Sequence, residues 1–181
     1  MSKSNSHTLL QEVRFTQSAV LSLSKHHSLL GRRLILVDIE NVVEGAVLSE
    51  EAARWARVLV EGAIALRADE QVVVATSHIG LLHTHSAWRS ARLRVRSGCD
   101  GADLELLRVL ETERISDRFD EVVLVSGDGI FTDEVARLGG LGVRVTVVAW
   151  SHCLAARLRM AASRVLLFDA PAHLVSILEV A

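Results

Sequence analysis

The chain has 181 residues, a formal net charge of −2 and a hydrophobic half, which suits one domain with a substantial core and excludes a global basic field that would attract nucleic acid. Mean hydropathy is +0.31, yet no apolar run reaches the roughly 18 residues of a membrane span, and no basic region followed by a long apolar stretch opens the chain, so neither a span nor a signal peptide is expected. Cys99 and Cys153 lie far apart, which excludes a disulfide framework and points to a reducing, cytoplasmic compartment.

Residues 1–31 are rich in Ser and His and form an N-terminal extension, partly disordered or docked as a short helix; residues 32–181 form the domain. From residue 32 apolar, β-branched runs recur at 34–38, 71–75, 91–95, 121–125, 143–148 and 164–168. Segments of helical spacing lie between them, at about 50–67, 79–89, 102–115, 131–139 and 152–162. Ser49 before Glu50 and Glu51 reads as an N-cap with an acidic first turn. "RLGGLGVRV" ends a helix at glycines and starts a strand. Alternation of this kind predicts a three-layer α/β sandwich around a mostly parallel sheet. Runs such as "VVVA" and "VVLV" suit strands buried on both faces.

Sites in open parallel sheets form beyond the carboxyl ends of the strands, where strand order reverses. "LILVDIENVV" ends its apolar run in Asp38, Glu40 and Asn41. Asp128 follows the strand at 121–125, Asp133 enters the next helix, and Asp100 and Asp103 follow the third strand. Any one of these acids is explained as a turn or cap residue. Three loops bringing acids to one sheet edge repel one another unless neutralised, and a hard cation with oxygen ligands, Mg²⁺ or Mn²⁺, is the simplest neutraliser. The expected metal ligands are Asp38, Asp103, Asp128 and Asp133, with Asn41 supporting. Arg92, Arg94 and Arg96 alternate along one strand face and read either as a phosphate-binding stripe or as edge-strand protection. Ser126 joins them as a candidate substrate contact. His83 and His85 lack further zinc ligands at a recognisable spacing and read as surface residues. Trp55 and Trp150 read as core, as does Trp88, although Trp88 could also stack a base.

The order of these motifs resembles the NYN domains of the PIN-like nuclease superfamily over about residues 33–168. "LILVDIEN" is similar to that family's opening strand with D-x-x-N, "GADLELL" to its G-x-D-hydrophobic segment, and "VLVSGDGIFTDEVARLGGLGVRVTVVAW" to its S-G-D-x-D-F strand, helix and following strand. The resemblance implies strand order 3-2-1-4-5 and Mg²⁺- or Mn²⁺-dependent cleavage of RNA. Asp38, Asp103 and Asp128 would be ligands, with Asn41 beside them in the catalytic set. Ile130 departs from the pattern, since the family often carries a second Asp there; Asp133 is the candidate substitute. The expected partner is single-stranded RNA, with no membrane, and a homodimer is compatible with the sequence. The main alternative resembles haloacid-dehalogenase phosphatases: "VDIEN" is near a D-x-D nucleophile motif, Thr76 or Ser77 would meet phosphate, and "GDGIFTD" would hold metal. That chemistry wants a lysine, and none follows Lys25. A catalytically weak RNA-binding domain is the third reading.

Overall fold

The computed structural model describes residues 31–98 and 100–168; the N-terminal extension up to residue 30, Cys99 and the last residues of the domain, 169–181, lie outside the described residues. The elements run β1 (Arg33–Asp38), α1 (Ile39–Val43), α2 (Glu50–Ile64), β2 (Gln71–Thr76), α3 (Leu81–Ala87), β3 (Arg92–Val95), α4 (Gly101–Thr112), α5 (Ile115–Arg118), β4 (Glu121–Val125), a 3₁₀ turn (Gly129–Phe131), α6 (Thr132–Gly140), β5 (Arg144–Ala149), α7 (Ala156–Ala161) and β6 (Arg164–Leu167). The sheet is six-stranded, in the order β3-β2-β1-β4-β5-β6, and every pairing is parallel. The expected order is therefore present, extended by the run at 164–168 as an outer strand.

Period-2 alternation within an apolar run sends side chains to both faces. Leu34 and Leu36 join one core, with Leu106 and Leu110 of α4, Val135 and Leu138 of α6 and Leu158 of α7. Ile35 and Val37 join the other, with Ile39 and Val42 of α1 and Ala53, Ala56, Val60 and Ile64 of α2. Helices thus cover both faces, and β1, at the centre, has no solvent-facing side. The buried residues of α2 recur at helical spacing, and Ser49 caps it, its Oγ accepting from Ala52 N–H at 3.2 Å.

From β1 the chain steps outward through β2 to β3, then returns to the other side of β1 as β4. The reversal falls between β1 and β4, where Val37 pairs with Val125. Helices diverge there to opposite faces and leave a crevice at the carboxyl ends. Among the described residues, no helix is long and apolar enough to cross a membrane.

Candidate active site

Asp38 is the last residue of β1 and the N-cap of α1, a five-residue helix with too little periodicity to read from sequence. Its Oδ1 accepts from Glu40 N–H at 3.1 Å and Asn41 N–H at 3.2 Å. Glu40 Oε1 accepts from Ser77 N–H at 2.8 Å, tying α1 to the end of β2. Asp103 reaches the same place from the first turn of α4. That helix starts close against β3: a Cβ on Gly101 would lie 2.3 Å from the Arg96 carbonyl oxygen, so only glycine allows this approach.

The two carboxyls are nearly enclosed, Asp38 at 3% and Asp103 at 9% exposure. Asp103 Oδ1 is buried and meets no N–H or hydroxyl donor. Burial, then the neighbouring Asp103, pushes the Asp38 carboxyl well above its ordinary value. Asp103 is raised by its own burial, with further push from Asp128, Asp100 and Glu40, while a hydrogen bond from Asp38 pulls the other way. A cavity of about 260 Å³ opens beside them and is also lined by Glu40, Asn41, Glu44 and Asp100, with no lysine, arginine or histidine in its wall. A larger cavity of about 430 Å³ lies at the other end of β2 and β3. Its charges are matched internally, Arg57 with Glu61 at 2.6 Å and Arg67 with Glu70 at 2.7 Å, so it lacks the unmet charge of the acidic cavity.

Asp128 stands at the rim. It is exposed, its Oδ1 accepts from Ile130 N–H at 2.8 Å, and its charge reaches Asp103. Asn41 Oδ1 accepts from Gly127 N–H at 3.0 Å, so Asn41 holds the loop that carries Asp128. Ser126, expected as a substrate contact, is fully buried, and its Oγ accepts from Asp128 N–H at 3.2 Å; it shapes the loop and offers substrate no surface. Asp133, expected as a metal ligand, is exposed on the first turn of α6 and contributes nothing to the cavity wall. Ile130 packs partly into the core under α6.

The arginine stripe is divided. Arg92 and Arg94 both donate to Glu113, at 2.9 and 3.1 Å, which pairs their charges within the protein. Arg96 is exposed at the end of the strand, beside Gly101. The sequence reading missed Arg157 of α7. Its Nε would lie 2.6 Å from a Cβ on Gly129, so this guanidinium lies against the residue following Asp128. No local motif marked it, because the β5–α7 connection brings it there. Trp88 and Trp150 are buried as expected.

An open, wholly parallel α/β sheet with helices on both faces and carboxylates at its reversal point is consistent with the PIN-like nuclease fold. The NYN domain family model matches residues 34–169, and the chain belongs to that family, within the PIN-like nuclease superfamily; the phosphatase alternative is set aside. A crystal structure of a protein of unknown function from Vibrio parahaemolyticus RIMD 2210633 shares the fold, with a TM-score of 0.54 and 22% identity over 77% of this chain and 93% of that one. No curated protein matches the chain.

The donors suit a hard divalent cation. The carboxyls of Asp38 and Asp103 offer only oxygen, both are enclosed, Asp103 Oδ1 is orphaned, and no basic side chain neutralises them within the cavity.

Proposed function

We propose that the chain is a Mg²⁺- or Mn²⁺-dependent ribonuclease that hydrolyses phosphodiesters of single-stranded RNA. The observation that carries this reading is the enclosed Asp38–Asp103 pair, two carboxyls held together by the fold without a counter-charge. Such a pair costs stability unless a cation meets it. When bound, a divalent ion supplies charge to polarise a phosphate and to acidify an attacking water.

The chain's own residues do the rest. Asp38 and Asp103 would hold the ion, and the exposed Asp128, whose charge reaches Asp103, would add to the negative field around it. Asn41 keeps the Asp128 loop in register through Gly127. Glu40 holds the β2 end through Ser77. Arg157 and Arg96, exposed on either side, are the cations available to a phosphate backbone. Asp38 acts as a ligand throughout and never becomes phosphorylated. Ile130 favours a second reading, a domain that binds RNA without cutting it, because neither it nor Asp133 supplies an acid to the cavity.

Labelled single-stranded RNA and a generic phosphomonoester, each incubated with and without Mn²⁺, separate these readings. RNA cleavage with Mn²⁺ and an untouched phosphomonoester are expected. Retention of RNA without cleavage selects the binding domain; phosphomonoester turnover with intact RNA overturns both.

A further inference from the structure

A second cluster of donor atoms, of mixed chemistry, lies at the edge of the acidic cavity. Glu44 ends α1, and His152 and Cys153 follow β5. A carboxylate oxygen, an imidazole nitrogen and a thiol sulfur from these three residues all lie within 4.8 Å of one another. Both protein partners converge on a single atom: Cys153 Sγ approaches Glu44 Oε1 at 3.6 Å, and His152 Nε2 contacts the same oxygen. A tetrahedral ion with sulfur at about 2.3 Å and nitrogen or oxygen at about 2.0–2.2 Å spaces its ligand atoms roughly 3.3–3.7 Å apart, so small side-chain rotations close the set.

The segments that carry these donors are braced. Trp150 Nε1 donates to the Val42 carbonyl at 2.9 Å, joining the end of β5 to α1. The His152 ring stacks on Trp150 with centroids 6.4 Å apart. Cys153 N–H donates to the Trp150 carbonyl at 3.2 Å, and the Cys153 carbonyl packs so close to Gly127 that a Cβ there would lie 2.5 Å away. Glu44 and Cys153 also line the acidic cavity, which leaves an open side for a fourth ligand such as water.

We propose that Glu44, His152 and Cys153 form a second metal site, separate from the Asp38–Asp103 pair, that takes a zinc-class ion. Thiolate and imidazole select zinc or cobalt over magnesium, which prefers oxygen alone. Binding replaces the thiol proton, and any proton on the imidazole nitrogen, with the ion, and the protons pass to buffer. The site depends in no way on RNA cleavage.

Cobalt(II) is the probe. The reduced, chelator-treated full chain, titrated with Co²⁺, should show a sulfur-to-cobalt charge-transfer band in the near ultraviolet that saturates at one equivalent. Zn²⁺ should bleach it stoichiometrically, and millimolar Mg²⁺ should not. The band should vanish in Cys153→Ser, and Co²⁺ affinity should fall roughly tenfold or more in His152→Ala and in Glu44→Gln. Both of those residues are exposed, and a melting curve for each variant confirms that it folds. Cys99→Ser and Asp38→Asn should keep the band. Its absence from the wild type, its survival in Cys153→Ser, or its loss in Cys99→Ser would overturn the proposal.

Discussion

Asp38 works twice, once through each side of its carboxyl. One oxygen caps α1, and the group also faces Asp103 across the crevice. Asparagine keeps the cap and removes the repulsion. In chelator at neutral pH, Asp38→Asn should therefore melt above the wild type, by roughly 2–4 °C for each kcal/mol of repulsion relieved. The folded carboxyl titrates above its unfolded value. The stability it contributes is complete in acid, below about pH 4, and is lost as pH rises through the raised folded value. The gap between variant and wild type should open over that rise and close in acid. Millimolar Mn²⁺ should raise the wild-type melting temperature by mass action and leave Asp38→Asn nearly unmoved; equal shifts in the two proteins would remove the metal site. Asn41→Ala strips a buried Gly127 N–H of its acceptor and should cost about 1–3 kcal/mol in a urea titration, with no loss if the Gly127 contact is incidental. Asp38 and Asp103 were legible because the first ends an apolar strand and the second lies in the first turn of an amphipathic helix. Asn41 was legible as a site residue but not in its role, since its partner is 86 positions away.

The strands were readable from their β-branched runs to within a residue or two, because the inner four are buried on both faces and carry no competing pattern, while the outer β3 and β6 are only partly buried. Short or broken elements were not. The five residues of α1 and the three of the 3₁₀ turn show no periodicity, and the helix expected over 102–115 divides at Arg114, which takes φ 50°. Ala65 ends α2 in the same left-handed region, at φ 47°, where glycine is unstrained. Ala65→Gly should stabilise the protein by about 0.5–1 kcal/mol; a loss would mean that the α2 terminus relaxes away from this geometry. On β3, alternation showed that Arg92, Arg94 and Arg96 share a face but gave no sign of Glu113 across from two of them. If the arginines paired to Glu113 are occupied, neutralising both Arg92 and Arg94 should leave the salt dependence of RNA binding unchanged. Arg96→Ala and Arg157→Ala should each flatten the slope by about 0.7. The reverse pattern would return the phosphate track to the paired stripe.

At the scale of the whole molecule, the reversal of strand order between β1 and β4 gathers Asp38, Asp103 and Asp128 from segments far apart in the chain. Motif order indicated that gathering, because parallel connections place every strand's carboxyl end on one edge. What sequence could not resolve is which residues on that edge turn inward. Asp133 belongs to the right edge but follows the 3₁₀ turn onto the exposed side of α6, and Ser126 is drawn under the loop it was expected to crown. His152 and Cys153 reach Glu44, at the end of α1, through the β5–α7 connection, which also places Arg157 of α7, and only the packed fold reveals that path. The most direct measurement is the rate at which the full chain cleaves labelled single-stranded RNA as Mn²⁺ is raised from chelator. Metal-dependent hydrolysis at the Asp38–Asp103 pair should give no cleavage in chelator, a rate that rises and saturates with Mn²⁺, losses of roughly 10²-fold or more in Asp38→Asn and Asp103→Asn, and retained activity in Glu40→Gln. Cleavage that persists in chelator, or that survives in both aspartate variants, would contradict it.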